Sequence, residues 1–190
     1  MRGLIQDIER IPKEYFSITD IAKISSLSDG SLWVALSRLV KQKKLSRLAR
    51  GWYARDIVRV DFEALALDVS SGGYISFESA LARYGVLSQQ PMAITVATKG
   101  PGKSIIAGGR EFLYRHLQPK LLWGYRKEGD ILVADPEKAF LDLAYLSLNG
   151  YAHFDPGEMD TSLLDRKIID RYLKRIGSSR LTGFIEKIFL

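Results

Sequence analysis

Two short helical patterns meet across a serine-rich turn in residues 18–42, ITDIAKISSLSDGSLWVALSRLVKQ. Ser17 or Thr19 is placed to cap the first helix, which ends in the polar stretch 25–28. The residues of this helix expected to face a core are Ile18, Ile21, Ala22 and Ile24. The second helix is expected from Asp29 to about Gln42. Its apolar stripe consists of Leu32, Ala35, Leu36, Leu39 and Val40. The stretch therefore predicts two helices joined by a tight turn.

The residues on both sides of these two helices predict further elements of secondary structure. Apolar residues from Leu4 to Ile11 recur at helical spacing before Pro12, which predicts a first helix of about two to three turns. Residues 45–49 predict a strand, Arg50-Gly51 a turn, and residues 52–54 a returning aromatic strand. Helix, helix, turn, helix, hairpin is the order of a winged helix-turn-helix domain, whose third helix enters the DNA major groove. We predict such a DNA-binding domain at residues 1–60.

The face of the third predicted helix opposite the apolar stripe carries side chains suited to DNA. Serine and arginine donate to base edges, and Val34 suits a thymine methyl group, so Arg38 is the predicted reader of guanine. The cations that follow are placed to contact phosphates and to supply affinity rather than sequence discrimination. The predicted DNA-binding residues are Ser28, Asp29, Ser31, Val34, Ser37, Arg38, Lys41, Lys43, Lys44, Arg47 and Arg50.

Two alternatives stay open at this face. Trp33 lies one position off the apolar stripe, so a partly buried residue that shields the core competes with a contact to DNA or to a partner. Winged folds also serve as protein-interaction modules, in which case the basic face binds an acidic partner.

The charge of the chain is concentrated in its first third. The 190 residues carry a net charge of +6, with 46% apolar and 26% charged residues, as in an ordinary globular protein. Residues 1–60 contain twelve Lys or Arg and six acids, so the remaining residues are neutral. A basic module beside a neutral one favours a division of labour in which only the first meets a polyanion, with chance asymmetry as the alternative.

The chain contains no cysteine. This excludes disulfides, thiolate metal sites and cysteine nucleophiles, and it favours a cytoplasmic location. No apolar run suits a signal peptide or a membrane span, so neither a leader nor a membrane partner is expected.

Residues 61–190 predict a second domain of mixed α/β structure, with the boundary near residues 55–72, so the expected fold class of the chain is α+β. Residues 62–69 are expected to be a connecting helix or an extended segment, and residues 74–76 a short apolar entry to the next helix. The expected helices lie at 77–84, from 136 onward, 162–176 and 181–189, and the expected strands lie near 93–98, 112–117, 122–125 and 131–133.

Several residues of this second domain resemble parts of a phosphate-binding loop or a metal site, but their neighbours in the sequence argue against both. The segment Lys99–Ser104, KGPGKS, ends like a phosphate loop, but Ala97 stands where that motif needs its first glycine and Pro101 lacks an amide donor. His116 and His153 have no companions at metal-ligand spacing.

Three acids are explained by helix structure. Asp135 and Glu137 suit a helix start around Pro136, and Asp142 lies on the flank of that helix. We therefore predict no catalytic residue, no metal site and no cofactor, and a protein that is not an enzyme.

Four stretches of the sequence resemble one known family. They are RGWY at 50–53, YISFESALARYG at 74–85, GREFLY at 109–114 and VADPEKAFLD at 133–142. In this order they resemble the AbiEi family of antitoxins and transcriptional regulators, over nearly the entire chain. The region after Asn149 is short and departs from the family pattern.

The resemblance implies an antitoxin of a bacterial or archaeal toxin-antitoxin system linked to phage defence. Such a protein represses its own operon by binding inverted repeats in double-stranded DNA, as a possible homodimer, and the mixed α/β domain at 61–190 would be the antitoxin domain. It would oppose a cognate nucleotidyltransferase-type toxin, in the best-known cases without a stable complex. The departure after Asn149 leaves a stand-alone winged-helix regulator as the alternative.

Overall fold

The computed structural model describes residues 3–70 and 72–189, and these form eight α-helices and two β-sheets. The prediction of a mixed α+β chain is thereby confirmed. Contacts divide the chain into two units. The first is Met1–Leu65 with Ile106–Arg110, and the second is Ala66–Ile105 with Glu111–Leu190.

The first unit alternates short helices with a small antiparallel sheet. Its elements are α1 (Leu4–Ile8), β1 (Tyr15–Ser17), α2 (Ile18–Ile24), α3 (Asp29–Lys41), β2 (Ser46–Ala49) and β3 (Trp52–Ala54). The strands lie in the order β1-β3-β2, and both pairings are antiparallel. The strand β1 was not expected from the sequence. The helix α1 ends at Ile8, so it is shorter than the predicted two to three turns.

A capping box starts α2. The Ser17 hydroxyl accepts a hydrogen bond from the Asp20 N–H at 3.1 Å, and the Asp20 carboxylate accepts one from the Ser17 N–H at 2.9 Å. Two backbone donors at the helix start are satisfied in this way. Burial raises the pKa of Asp20, but the bonds to Ser17 and the charge of Lys23 outweigh it, so this pKa lies below its ordinary value.

The core of the first unit collects apolar residues from α1, α2, α3, β1 and β3 and from the residue before β2. Its buried members are Ile8, Phe16, Ile21, Leu32, Leu36, Leu45 and Tyr53. Leu32 and Leu36 come from α3 and belong to the predicted stripe, whose other three residues are partly buried. In α2 the expectation was wrong for Ala22 and Ile24, because both are exposed, Ile24 to 44%. Only Ile21 of this helix is buried, so α2 presents a narrower apolar face to the core.

A six-stranded mixed sheet dominates the rest of the chain. The elements that follow β3 in the chain are α4 (Phe62–Ser70), β4 (Tyr74–Ile75), α5 (Phe77–Arg83), β5 (Ala93–Thr98), β6 (Lys103–Ala107), β7 (Arg110–His116), β8 (Tyr125–Glu128), β9 (Ile131–Ala134), α6 (Pro136–Leu148), α7 (Arg166–Ile176) and α8 (Ser179–Glu186). The strand order is β6-β7-β5-β4-β9-β8. The two-residue strand β4 sits inside this sheet, antiparallel to β5 and parallel to β9 through Ile75 and Val133.

The helix α6 begins where the Asp-Pro pair predicted, but Asp135 does not cap it through its side chain. The Asp135 carboxylate instead accepts hydrogen bonds from the Tyr172 hydroxyl at 3.0 Å and from Arg126 at 3.5 Å. Glu137 is buried and accepts from the backbone N–H of Asp165, the residue that caps α7. Both acids therefore hold neighbouring elements in place.

Asp142 is buried rather than on an open flank. It forms an ion pair with Lys138, one helical turn earlier, and accepts hydrogen bonds from the Tyr74 hydroxyl at 3.0 Å and the Ser76 hydroxyl at 2.9 Å. Lys138 also donates to the Tyr74 hydroxyl. Burial raises the pKa of Asp142 and lowers the pKa of Lys138. The four side chains form a closed polar network that ties α6 to β4.

Candidate nucleic-acid interface

All eleven residues predicted to contact DNA are exposed. Seven of them, from Ser28 to Lys41, lie on α3 or at its N-cap, and the other four follow in the connection to β2, in β2 itself and in the hairpin turn at Arg50. The structure therefore brings all of them to the solvent side of a single continuous stretch, residues 28–50.

Packing of the apolar stripe determines which side of α3 faces outward. Leu32 and Leu36 are buried in the core, and on the opposite side Val34 is 62% exposed. Val34 and Arg38 stand one turn apart, so they are neighbours on the helix surface. Each of them lines two shallow depressions of the protein surface. These two side chains therefore form a ridge on the open face of α3.

The start of α3 carries three short polar side chains. The Ser28 hydroxyl donates to the Ser31 hydroxyl at 3.0 Å, and neither side chain caps the helix. Asp29 lies in the first turn, where a negative charge is favoured by the helix dipole. Asp29 can accept a hydrogen bond, while the serine hydroxyls can both donate and accept, which are the capacities needed at base edges.

The six cations of this stretch have no acidic partner. Among the described residues, no carboxylate lies within 4.0 Å of Arg38, Lys41, Lys43, Lys44, Arg47 or Arg50. Other cations of the first unit are paired: Lys23 with Asp20, Arg55 with Glu14 and Arg59 with Asp56. Positive potential is therefore concentrated on α3 and the hairpin.

Lys43 has a backbone conformation that the sequence analysis missed. Its φ is +56°, in the left-handed region that favours glycine. The N–H groups of Lys43 and Lys44 bond the carbonyls of Val40 and Leu39 and so close the end of α3. A lysine at this position strains the backbone where glycine would not. Such strain is commonly retained where a side chain has a function.

The hairpin turns at Gly51, whose φ of +79° suits glycine. The pairing of β2 with β3 shifts register between Arg47 and Ala49. Arg47 is exposed and lies opposite Tyr53 in the register. Burial raises the pKa of the Tyr53 phenol, and the nearby Arg47 guanidinium partly offsets this. The buried Tyr53 ring and the exposed Arg47 guanidinium are therefore cross-strand neighbours on one face of the hairpin.

Trp33 is more exposed than a core-shielding residue was expected to be. It is 40% exposed and lines one of the two depressions together with Ser37, Arg38 and Lys41. Its ring is therefore accessible beside the basic residues of α3.

His116, His153 and Asp142 all belong to the second unit. In the part of the chain that the structure describes, no cluster of three or more His, Asp or Glu side chains is arranged to hold a metal ion. His116 and His153 are exposed, and Asp142 is fully engaged in its network. Within residues 3–70 and 72–189, no helix combines the length and apolar character needed to cross a membrane.

No protein-family model matches the chain, and no curated protein matches it at a significant level.

Proposed function

We propose that the chain is a DNA-binding transcriptional regulator whose first unit is a winged helix-turn-helix. The order α1, α2, α3 and a β2–β3 hairpin, with β1 completing a three-stranded sheet, supports this assignment. In that arrangement α3 is the recognition helix and the hairpin is the wing. Val34 and Arg38 face base edges, while the cations from Lys41 to Arg50 contact phosphates.

The observation that carries this proposal is a run of six exposed cations, on α3 and in the residues that follow it, with no acidic partner among the described residues. Each phosphate neutralised by such a cation releases counterions, so log K falls with log salt by about 0.9 per contact. If the five cations from Lys41 to Arg50 contact phosphates, we expect a slope of about −4.5 for each bound protomer.

The wider function that we propose is that of an AbiEi-type antitoxin and autorepressor. It rests on the sequence resemblance described above. In this role the protein acts in the cytoplasm, binds inverted repeats in its own operator as a homodimer, and counteracts a nucleotidyltransferase-type toxin through residues 61–190. Repression and neutralisation are then functions of different parts of the chain.

Fluorescence anisotropy tests the DNA-binding proposal. The full chain is titrated onto labelled duplex from upstream of its own gene and onto a scrambled duplex, between about 50 and 200 mM salt. We expect binding to the upstream duplex to persist at the higher salt and to exceed binding to the scrambled duplex at least tenfold. Equal affinity for both duplexes, lost together as salt rises, would instead favour a protein-interaction module with incidental affinity for DNA.

The antitoxin proposal has a separate test. The neighbouring gene of the operon is expressed in a host cell with and without this chain, and growth is followed. We expect growth to be rescued by the native chain and equally by Arg38→Ala, because neutralisation does not need operator recognition. Absence of rescue by a folded native chain would leave a stand-alone regulator.

A further inference from the structure

The largest cavity that we describe lies entirely within the second unit, and none of its lining residues is among those assigned to DNA. Its volume is about 830 Å³, which is within the range that holds small ligands such as nucleotides. Gly102 and the start of β6, at Lys103, form one wall of the cavity. Residues of β7 form a second wall, and the end of α6 with the residues that follow it forms a third. Lys103 and Ser104 lie on a strand, not at a helix start, so the KGPGKS segment is not a phosphate loop.

The charge of this cavity is positive. None of its lining residues is acidic. The Arg115 guanidinium is neutralised by a bidentate ion pair with Glu78 at 2.7 and 2.8 Å. Lys103 has no carboxylate within 4.0 Å among the described residues, and its Nζ lies 5.2 Å from the centre of the Tyr114 ring. One unpaired ammonium group therefore remains to attract an anion.

His116 adds an acceptor at the end of the neighbouring strand β7. Its Nδ1 lies 3.1 Å from the Lys99 carbonyl oxygen and 3.0 Å from that of Gly100. Carbonyl oxygens only accept hydrogen bonds, so Nδ1 carries the proton, and Nε2 is left to accept a hydrogen bond from a hydroxyl or amino group of a ligand. The Ser104 hydroxyl is already used, since it donates to Glu111 at 2.6 Å.

Aromatic rings complete the cavity on the side of α6. Tyr145 is half-buried, and Tyr151 is 76% exposed. The backbone N–H of Tyr151 bonds the Leu146 carbonyl, and the Asn149 amide donates to the Tyr145 carbonyl, so the helix end that carries both rings is fixed. An exposed tyrosine ring on a fixed stretch of backbone suits stacking with a planar base.

We propose that this cavity binds a nucleoside phosphate, with the base stacked on Tyr151 and the phosphate held by Lys103. A free nucleotide and the phosphorylated end of a strand share this chemistry. The proposal is independent of DNA recognition by α3, because it uses no residue of that interface.

Isothermal titration calorimetry of the full chain tests it, with the four nucleoside monophosphates as ligands. We expect saturable binding with Kd below about 1 mM. Adenosine alone and inorganic phosphate alone should each bind at least tenfold more weakly than AMP. A 5′-phosphorylated trinucleotide that competes with AMP and binds more tightly identifies a strand end, and a failure to compete identifies free nucleotide.

Variants assign the contacts. Lys103→Ala should weaken AMP binding at least about tenfold, while Lys127→Ala, which removes the same charge at an exposed site outside the cavity, should not. Tyr151→Ala should weaken it about 5- to 100-fold, and Tyr151→Phe should retain it. All three positions are exposed, so thermal unfolding should be unchanged.

Two results would overturn the proposal: no saturable binding of any monophosphate, or equal binding by the Lys103 and Lys127 variants. Operator binding by Lys103→Ala is measured alongside and should equal that of the native chain. A failure confined to calorimetry therefore leaves the DNA-binding proposal intact.

Discussion

Replacing Lys43 with glycine should stabilise the first unit while weakening its binding to DNA. The φ of +56° at Lys43 costs a residue with a side chain about 1–2 kcal/mol relative to glycine. Glycine loses more backbone freedom on folding, which offsets about 0.5–1 kcal/mol of this gain. The net stabilisation therefore lies between about 0 and 1.5 kcal/mol, with a central value of about 0.75 kcal/mol. For a unit of this size, the central value corresponds to a rise in Tm of about 3–6 °C.

The matched control is Lys44→Gly. Lys44 is exposed like Lys43 but does not have a positive φ, so glycine there removes the same charge without relieving strain. We expect this variant to lose about 0.5–1 kcal/mol of stability. On operator duplex, both variants should reduce the steepness of log K against log salt by about 0.9.

Thermal unfolding followed by circular dichroism and anisotropy at several salt concentrations measure both effects. A Lys43→Gly variant that melts below the native protein would refute the argument from backbone strain. A salt slope unchanged in this variant, with normal stability, would mean that Lys43 does not contact a phosphate.

Three further predictions concern other parts of the chain. Arg38→Ala should weaken operator binding by about 1–3 kcal/mol and relax base preference, whereas Lys44→Ala should weaken binding to all duplexes alike. Equal losses of affinity for specific and random duplex in the Arg38 variant would contradict its role as a base reader. Asp142→Asn leaves a buried lysine without its charged partner and should lower the free energy of unfolding, measured in urea, by about 3–5 kcal/mol. Replacing both members of the pair with apolar residues of similar volume should lower it much less. Similar losses of stability in the two variants would contradict the ion-pair account. Ser17→Ala should cost about 1 kcal/mol at pH 7 through the lost cap. The pKa of Asp20 is lowered in the folded protein. The stabilisation that its carboxylate provides is therefore present above the unfolded pKa of about 4 and is lost as pH falls through the folded pKa. A Ser17→Ala penalty equally large at pH 2 would argue against the capping box.

The sequence predicts best where short-range patterns decide the structure. The helix expected from Asp29 to about Gln42 runs from Asp29 to Lys41, because one apolar stripe and a polar turn define it locally. The exposure of the eleven interface residues follows from the same stripe. The strand β1 was missed because its three residues become a strand only by pairing with β3, nearly forty residues later in the chain.

Local sequence patterns could not predict the side-chain networks that residues distant in the chain form. Lys138 and Asp142 are spaced like a surface ion pair on a helix, and only packing against Tyr74 and Ser76 buries them. The left-handed backbone at Lys43 had a weak signal, since the predicted helix ended without a glycine to terminate it. The cavity lined by Lys103 and Tyr151 joins residues that no motif connects.

The short strand β4 has a consequence for biosynthesis. One edge of β4 pairs with β5 soon after both are made, but its other edge needs β9, whose Val133 follows Ile75 by about 60 residues. At about 5–20 residues per second, a ribosome takes roughly 3–12 s to add that length. During this interval the nascent chain carries an open sheet edge, the kind of surface that pairs with other chains or recruits chaperones. Slow codons between these two positions should therefore reduce the yield of soluble protein, whereas equally slow codons after Leu148, where α6 ends, should not.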